Sequence, residues 1–577
     1  MGRIYACFAT SSESRRDGKQ GRRNTVKPAR ADSGRVLSSS TLVFAVCLAA
    51  FFTRLLPLSI SAYPFNNDSL TECGIATQIL GSGHLHFSPD SPWYGTHSTV
   101  TPALDTLLAF FSAFLGMTPI ECAQVLCASI SVSTVGLVFL LGRSVSGSSR
   151  GGLAASLASV MLGTFVFTTG SVWKEMLGIS LLLLVLLSFI SRGQVRFWIL
   201  GFVTLLITPF VHHLVAAIVL LSLAYMVTWS WFFSIRNHAL KRRHLGDLGM
   251  VLIPGVLAIS YYAFVSLDRI SFLSTPLDVV LLISMFALVS LVSFAALSLT
   301  KHARWSYAPI LGILLLALVF LDYSGSLFPY DPSASSVYFL LAFSYIFLFS
   351  LAWYGSELII ETRPMYRSIP VALLVSPLTV IWVGLLDGFS LSSHQVLFRT
   401  FDFLDFFVFF GIGAAMVALR ERHRRLYSTF GVVVIIGLAA SFPFAYYSEQ
   451  LLGVRHDTQS FEMDALAWVD ARGEHEVVLS DQRLAYVALN FFGLAGSASL
   501  PQYLSQGIST PADYYCLIED SWTTLGVNDY PRGKLVLSDS QYLHVLDSGD
   551  LLYVGGPFEN RVLLFTVSEI GHDLTQG

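Results

Sequence analysis

Charged residues are scarce in this 577-residue chain, where Asp, Glu, Lys and Arg together make up 13% of the sequence. Soluble domains carry about twice that share. Hydrophobic residues make up 54%, and the mean hydropathy is +0.63. Apolar runs of about 20 residues, long enough to cross a bilayer as a helix, recur along the chain. This composition excludes an ordinary soluble enzyme and indicates a polytopic α-helical membrane protein.

Motifs for nucleotide and metal chemistry are also missing. The sequence has no P-loop, no GxGxxG opening a βαβ unit and no HExxH, which argues against a pump driven by nucleotide hydrolysis. Six cysteines are scattered without a CxxC pair and predict neither a disulfide framework nor a structural zinc. The basic clusters flank apolar runs, where attraction to anionic membrane lipid explains them, so nucleic-acid binding is not expected.

The apolar runs predict thirteen transmembrane helices. Residues 1–37 contain nine Lys or Arg against three acids and are interpreted as a disordered basic cytoplasmic arm without a cleavable signal peptide. A further segment, 102–117, contains Asp105 and would be only about 24 Å long as a helix, so it predicts a re-entrant or interfacial helix. The thirteen runs lie at 42–60, 122–142, 152–170, 176–191, 197–211, 214–233, 248–267, 279–299, 306–321, 334–354, 369–386, 404–419 and 428–447. Of these, 197–211 and 214–233 are short enough to form one bent element.

Basic residues are distributed unequally between the two sides that these spans define. Cytoplasmic loops of membrane proteins are enriched in Lys and Arg. With the N-terminal arm inside, the outer loops carry three cations, Lys174, Arg269 and Arg399. The inner loops carry sixteen: Arg143, Arg150, Arg192, Arg196, Arg236, Lys241, Arg242, Arg243, Lys301, Arg304, Arg363, Arg367, Arg420, Arg422, Arg424 and Arg425. This bias predicts a multi-pass protein of the cell membrane with a cytoplasmic N-terminus.

An odd number of spans places the segment 449–577 outside the membrane, after a membrane domain at 38–448. This segment has 18 acids and 6 Lys or Arg, a balance typical of a soluble domain. Met463, Leu466 and Trp468 have helical spacing, and EVVLSD, KLVLSD, LLYVGG and RVLLFTV have the pattern of short strands. VVLSD and LVLSD resemble each other, which two buried strands of similar composition explain better than a repeat. We predict a small extracytoplasmic α/β domain.

The first outer loop, 61–121, is the longest between spans and contains no Lys or Arg. A loop of this length between packed spans is usually functional. Asp68 follows the first span within eight residues, so its carboxylate is expected near the outer membrane surface, with Glu72 one helical turn further on the same face. Asp68 is therefore a candidate catalytic residue, and Glu72 is a candidate substrate-binding residue. The alternative is a helix cap, since Asp-Ser-Leu-Thr-Glu before an apolar segment resembles a capping arrangement.

Further candidates lie at the outer ends of the third and fifth spans. Lys174 and Glu175 are expected at the surface or around a polar cavity, because a charge at bilayer depth costs roughly 2.5–3.5 kcal/mol. A simple interfacial ion pair is the alternative. His212 and His213 could bind a phosphate, a metal or a substrate hydroxyl. Because adjacent helical residues point about 100° apart, one ring is expected to face a cavity and the other the lipid headgroups.

The last outer loop contains His394 and Arg399, both candidate substrate-binding residues. Arg399 is one of the few outward cations and begins the twelfth span. A guanidinium at the headgroup level can bind two oxygens of one phosphate. The alternative is an interfacial arginine balanced by Asp402, one turn away.

These features together resemble the GT-C superfamily of membrane glycosyltransferases, which includes protein O-mannosyltransferases, bacterial aminoarabinose transferases and oligosaccharyltransferases, the archaeal ones among them. The resemblance lies in a first span followed by a long outer loop with an early acid, PFNND with Asp68. It continues in an interfacial segment, TPALDTLLAFFSAFLG, and in a span ending LLGRSVSG, which looks like the G-R-x-x-x-G turn of these enzymes. Glu175 matches a second acidic position in the next outer loop and is, with Asp68, a candidate catalytic residue.

The resemblance implies a sugar donor carried on a polyprenyl phosphate and a hexosyl or pentosyl transfer with inversion on the outer face of the membrane. Asp68 would act as general base, and Lys174 or Arg399 would stabilise the departing lipid phosphate. Glu175 and the histidines would orient the sugar or hold a divalent cation such as Mg²⁺ or Mn²⁺, although the sequence specifies neither a metal nor its ligands. The C-terminal domain would help to recognise a lipid-linked glycan or a protein acceptor.

The sequence departs from the family pattern at two points. A WWDYG-type motif is missing, which disfavours transfer of a whole glycan to an asparagine sequon. Asp68 is flanked as Asn-Asp-Ser, unlike the Asp-Glu pair of O-mannosyltransferases. Two other functions stay open: a secondary transporter or flippase, and a catalytically inactive protein that binds lipid-linked glycan. The first is disfavoured because no repeat relates the two halves and the polar candidates gather at one face.

Overall fold

A computed structural model of the chain describes residues 38–85, 101–236, 242–265, 276–298, 336–386, 391–446, 455–472, 477–506, 514–529, 533–547, 549–557 and 560–567. The chain divides into two compact units, residues 1–38 and 39–577. The basic arm and the predicted span 306–321 lie outside the described residues. All the helices and strands named below belong to the second unit.

Helices dominate the described residues between 38 and 446. They are α1 (Ser39–Leu55), α2 (Asn67–Ser82), α3 (Ala103–Leu115), α4 (Pro119–Ser146), α5 (Ser149–Met161), α6 (Gly163–Gly170), α7 (Lys174–Ile190), α8 (Val195–Val211), α9 (His213–Arg236), α10 (Arg242–Val265), α11 (Pro276–Ser298), α12 (Ser336–Thr362), α13 (Ser368–Leu386), α14 (Leu391–Arg422) and α15 (Arg424–Ser441). Within the described ranges, each predicted span overlaps a helix. The mainly helical architecture of the prediction is confirmed.

Eight helices within the described part of the chain are long and apolar enough to cross a membrane, and the count is nine if the bent pair α5 and α6 forms one span. The number of thirteen spans therefore stays a prediction. The segment predicted as interfacial forms α3, a 13-residue apolar helix. Such a helix is about 20 Å long, too short to cross a hydrocarbon core of about 30 Å.

The predicted third span, 152–170, is not a single helix. It is broken at Leu162, where α5 and α6 meet at 71°. Leu162 has an extended conformation (φ −71°, ψ 116°). The backbone N–H of Gly163, at the start of α6, donates to Ser441 Oγ at 3.1 Å. A side chain from α15 thus satisfies a donor that the break leaves without its helical acceptor.

Close backbone contact joins α12 and α14. A Cβ atom placed on Gly355 would lie 1.8 Å from the carbonyl oxygen of Gly411, and one on Gly411 would lie 2.3 Å from that of Ala352. Small residues let transmembrane helices approach in this way. The interface fixes the position of α14, which carries Arg399 near its N-terminal end.

The C-terminal part of the chain contains helices and short strands; that it is a separate extracytoplasmic domain stays a prediction. Its helices include α16 (Ser460–Asp470), α17 (Gln482–Val487), α18 (Leu500–Gln506) and α19 (Asp539–Asp547). Its strands are β1 (Val477–Leu479), β2 (Ala495–Ser497), β3 (Tyr514–Glu519), β4 (Val527–Asp529), β5 (Gly533–Leu535), β6 (Gly549–Gly555) and β7 (Val562–Val567).

These strands form a five-stranded sheet of order β2-β1-β3-β7-β6 and a separate ribbon of β4 and β5. Strand β1 is parallel to β2 and β3, whereas β7 is antiparallel to β3 and β6. The two similar pentapeptides are not equivalent, because VVLSD enters the main sheet and LVLSD only begins in the ribbon strand β5.

The sheet domain packs directly on α2, the helix that carries Asp68. Leu70 belongs to the same buried apolar cluster as Met463, Leu466 and Val478 of the C-terminal domain. Asn490 Nδ2 donates to Thr71 Oγ1 at 2.9 Å. Because these contacts are direct, the Asp68 region and the C-terminal domain lie at the same end of the helix bundle.

Candidate functional site

Helix α2 begins one residue before Asp68, and the cap of this helix is Asn66. Asn66 Oδ1 accepts from the backbone N–H of Asp68 at 3.2 Å. The alternative in which Asp68 caps the helix is therefore not observed. Asp68 stands in the first turn, where its carboxylate is favoured by the helix dipole and remains available for other contacts. Its side chain is 40% exposed.

Arg399 connects the two acids that the sequence predicts to be catalytic. Its Nη1 lies 2.6 Å from Glu175 Oε1, and its Nη2 lies 3.6 Å from Asp68 Oδ2. The guanidinium carbon is 5.5 Å from the centre of the Trp173 ring. Helices α2, α7 and α14 thus each contribute one residue to this group, which we call the Arg399 site: Asp68, Glu175 and Arg399.

Histidine 212 extends the Arg399 site on the side of Glu175. Its Nε2 lies 3.2 Å from Glu175 Oε1, and the His213 ring stacks on it with ring centres 4.5 Å apart. The expectation that the two rings diverge is wrong. His212 has an extended conformation (φ −164°, ψ 131°) in the single-residue break between α8 and α9, so the angular spacing of a continuous helix does not apply to the pair.

Lys174 belongs to a second, buried cluster beside the Arg399 site. Its Nζ lies 3.3 Å from Asp105 Oδ2 and 3.6 Å from Glu72 Oε2, and it donates to Thr101 Oγ1 at 3.2 Å. Lys174 is 5% exposed and Asp105 is fully buried. Lys174 and Glu175 are therefore not simply paired with each other. They begin α7 with their side chains in different clusters.

The Lys174 cluster contains two acids for one cation. Burial raises the pKa of Glu72 well above its ordinary value, the Asp105 carboxylate adds to this, and the Lys174 charge only partly offsets it. Two carboxylates this close do not both ionise readily. The Lys174 cation lies near both acids and so joins the three helices α2, α3 and α7.

Two further acids, Asp402 and Asp405, follow Arg399 along α14. Asp402 Oδ2 accepts from Thr168 Oγ1 at 2.6 Å, and Asp405 Oδ2 accepts from Thr164 Oγ1 at 2.9 Å. Both acids are buried. Arg399 contacts Asp68 and Glu175, so its charge is not balanced by Asp402 alone.

The structure describes the backbone at His394, which lies in the first turn of α14, and the role of its side chain stays a prediction. Within the described ranges, no group of three or more His, Cys, Asp and Glu side chains has an arrangement suited to a metal ion. Asp68 and Glu175 supply the carboxylate oxygens of the Arg399 site, and both contact the guanidinium. A divalent cation at this site stays a prediction.

Sequence reasoning did not identify Asn66, Asp105 or His456 as parts of this region. Asp105 lies in an apolar segment. An acid within such a segment indicates that it has a polar partner, and this signal could have identified it. His456 comes from the C-terminal domain, and its ring centre lies 5.3 Å from that of Phe167 and 6.5 Å from that of Phe65. No local sequence pattern predicts a contact between residues so far apart.

The fold is similar to solved structures of the oligosaccharyltransferase from Archaeoglobus fulgidus. The apo form has a TM-score of 0.53 at 13% identity, over 84% of this chain and 70% of that chain. The form named AglB, in complex with an inhibitory peptide and a dolichol-phosphate, has a TM-score of 0.51 at 13% identity, over 84% and 69%. A form tethered with an acceptor peptide containing the NVT sequon has a TM-score of 0.50 at 12% identity, over 93% and 76%.

No protein-family model matches the sequence, and no curated protein is significantly similar to it. At these low identities the structural similarity concerns the fold. It agrees with the resemblance that the PFNND segment and the long first loop indicated. The chain shares its fold with the archaeal oligosaccharyltransferase, as the resemblance to membrane glycosyltransferases implied.

Proposed function

We propose that this protein is an inverting membrane glycosyltransferase that takes a sugar from a polyprenyl-phosphate donor. The observation that supports this most is the Arg399 site, in which one guanidinium contacts Asp68 and Glu175. An exposed carboxylate and a cation at the end of a helix bundle meet the requirements of this reaction. The donor's lipid tail stays in the bilayer, so its phosphate lies at the membrane interface, where the reacting groups are needed.

Asp68 is the proposed general base. The acceptor hydroxyl oxygen attacks the anomeric carbon while the bond from that carbon to the phosphate oxygen breaks. The hydroxyl proton passes to the Asp68 carboxylate, and the bonding electron pair leaves with the lipid phosphate. A carboxylate that is 40% exposed can meet an acceptor from the water side and return its proton to solvent.

Arg399, in preference to Lys174, is the proposed ligand of the departing phosphate. Its side chain is 30% exposed, and a guanidinium offers two parallel donors to one phosphate. Lys174 is 5% exposed, and the two carboxylates near it, Glu72 and Asp105, are buried as well. Negative charge grows on the phosphate in the transition state, so a fixed cation there lowers the barrier more than it strengthens ground-state binding.

Glu175 and His212 are proposed to orient the sugar. Glu175 Oε1 already receives Arg399 Nη1 and lies near His212 Nε2, which fixes the direction of its carboxylate. Its second oxygen could accept from a sugar hydroxyl. The C-terminal domain is proposed to recognise the acceptor, a lipid-linked glycan or a protein, because it packs on α2 directly beside Asp68. The distribution of basic residues supports the proposal that this end of the bundle faces the outside of the cell.

The test is an assay of the full chain in liposomes with radiolabelled hexoses and pentoses on polyprenyl phosphate. Membrane extract supplies acceptors, and the release of free polyprenyl phosphate is measured. The wild type should consume one donor class, and Asp68→Asn should lower turnover about 10²- to 10⁴-fold, the usual contribution of a general base. Asp470→Asn, which alters an exposed carboxylate at the end of α16, is the matched control. Full turnover by Asp68→Asn would remove Asp68 as base, and a wild type that releases no sugar but moves it across the bilayer would indicate a flippase.

A further inference from the structure

Asn66 has an unusual backbone conformation, with φ 93° and ψ 148°. Among the residues that the structure describes, it is the only one with a positive φ that is not glycine. This combination lies beside a region that is almost exclusive to glycine, because the Cβ atom of any other residue is crowded there. The strain lies two residues before Asp68, the proposed general base.

Asn66 is held in this conformation by contacts on both its backbone and its side chain. Its N–H donates to the carbonyl oxygen of His456 at 3.1 Å. Its side-chain Oδ1 accepts from the N–H of Asp68 at 3.2 Å, and its carbonyl oxygen accepts from the N–H of Ser69 at 3.1 Å. Asn66 is 5% exposed, so none of these contacts is readily exchanged for water.

The neighbouring residue Phe65 is fixed from two other parts of the chain. Its N–H donates to Gln124 Oε1 at 3.1 Å, and its carbonyl oxygen accepts from the N–H of Val172 at 3.3 Å. Gln124 in turn donates to the carbonyl oxygens of Arg54, at 2.6 Å, and Gly170, at 2.8 Å. The backbone on the N-terminal side of Asn66 therefore cannot rotate to relieve the strain.

The His456 carbonyl is itself held firmly. The His456 ring packs against Phe65 and Phe167. Two residues later, Ser61 Oγ donates to the carbonyl oxygen of Thr458. The preceding residue, Arg455, lies 2.9 Å from Glu519 Oε2 and 3.2 Å from Glu462 Oε1. The segment that begins the C-terminal domain is thus anchored on both sides of the residue that binds Asn66.

We propose that Asn66 is a positioning residue for Asp68, and that the C-terminal domain holds Asn66 in its strained conformation through the His456 carbonyl. This inference rests on the proposed function. A glycine would adopt the same φ without strain but would have no oxygen for the Asp68 N–H. The strained conformation of Asn66 therefore lowers the stability of the fold. Its side chain fixes the first turn of α2 and so directs the Asp68 carboxylate towards Arg399.

Three substitutions separate the effect of the Asn66 backbone conformation from the effect of its side-chain cap. Asn66→Gly keeps the backbone conformation and removes the cap. Asn66→Ala removes the cap and keeps the crowding. Asn66→Asp, the conservative variant, restores an oxygen at the capping position. Ser148→Ala is the matched control, because Ser148 caps α5 by accepting from the N–H of Arg150 at 3.3 Å, and Ser148 has no part in the Arg399 site.

Four quantities are measured on the full chain in liposomes: the melting temperature, the hydrogen-exchange protection of the Asp68 amide, and kcat and KM for the radiolabelled polyprenyl-phosphate sugar that the wild type consumes. Asn66→Gly should melt at or above the wild-type temperature, lose protection at the Asp68 amide and lose kcat about tenfold or more, with a donor KM within about twofold of wild type. Asn66→Asp should regain most of the protection and kcat that Asn66→Ala loses. Ser148→Ala should keep wild-type kcat.

A merely structural role predicts the opposite pattern, in which activity follows the melting temperature. The proposal is overturned if Asn66→Gly keeps wild-type kcat and Asp68 amide protection while Asp68→Asn is inactive. Full activity of Asp68→Asn itself would instead overturn the proposed function. If Asn66→Ala does not fold, Asn66→Gly and Asn66→Asp still decide, because glycine and aspartate tolerate a positive φ better than alanine.

Discussion

Arg399 Nη1 lies 2.6 Å from Glu175 Oε1, although the two residues are 224 positions apart in the chain. Glu175 is in the first turn of α7, and Arg399 is in α14. Neither residue could be left in this partly buried position without the other, because an unpaired charge there would be costly to desolvate. The pair therefore fixes where the ends of two distant helices meet.

Replacing Arg399 should impair transfer more than donor binding. We expect Arg399→Gln to lower kcat about 10²- to 10³-fold, the usual cost of removing one group that stabilises transition-state charge. Arg399→Lys should recover only part of this, because an ammonium cannot make two parallel hydrogen bonds. Steady-state kinetics with the polyprenyl-phosphate donor measures both. Arg150→Gln, at an exposed arginine of α5, is the control, and wild-type kcat in Arg399→Gln would contradict this role.

Lys174 should be required for stability. We expect Lys174→Met to lower the free energy of unfolding by about 3–5 kcal/mol, because it leaves the buried Glu72 and Asp105 without their cation. Unfolding of the purified protein in detergent measures the change. The double variant Lys174→Met/Asp105→Asn should recover part of the loss, since it removes one of the two competing carboxylates. If the double variant is less stable than Lys174→Met alone, the two acids do not repel each other as described.

The sequence predicted most of the helices and the chemical character of the site, because both follow from local patterns. Apolar runs locate the spans, and polar residues at their outer ends identify Asp68, Glu175 and Arg399. The pairing of these residues could not be predicted, because it depends on which helix ends meet in space. The break at Leu162 was missed because a continuous apolar run does not reveal a bend, and the acceptor of the freed N–H, Ser441, is far away in the chain.

The sequence also predicted only some of the elements of the C-terminal domain. The spacing of Met463 and Leu466 predicted α16, but β3 (Tyr514–Glu519) was not among the predicted strands, although it is central in the sheet. Its segment YYCLIE is short and buried, and such a run lacks the alternation that marks a strand with one exposed face.

Acidification should lower the stability of the folded chain through protonation of His456. Burial lowers the pKa of His456 from 6.5 to about 4; the charge of Arg483 adds to this, and the charges of Asp457 and Asp68 oppose it. The unfolded chain therefore binds this proton at a higher pH than the folded chain. The stability that depends on a neutral His456 is present above pH 6.5 and is lost as the pH falls towards 4.

The measurement is the melting temperature of wild type and of His456→Gln at several pH values between 7 and 4. Other carboxylates titrate in both proteins, so the difference between the two curves isolates His456. We expect the wild type to lose more stability than the variant across this range. Parallel curves would show that His456 keeps the same protonation behaviour in the folded and unfolded chain.

The contact between α12 and α14 should be sensitive to a single methyl group. We expect Gly355→Ala to lower the free energy of unfolding by about 1–3 kcal/mol, because the new Cβ would overlap the carbonyl oxygen of Gly411. Gly249→Ala in α10 is the matched control: nothing lies within 4 Å of the position that its new methyl group would take, and alanine favours a helix by roughly 0.5–1 kcal/mol over glycine. Equal effects of the two variants in a detergent unfolding assay would contradict close packing at Gly355.

The dependence of the first loop on the His456 carbonyl has a consequence for biosynthesis. Ribosomes make the loop before most of the helices and make residue 456 after them. A nascent chain that has inserted its bundle but has not yet completed the final domain would lack the acceptor for the Asn66 N–H. On the proposed function, sugar transfer would then begin only after translation has passed this point, and incomplete chains in the membrane would not consume the proposed lipid-linked donor.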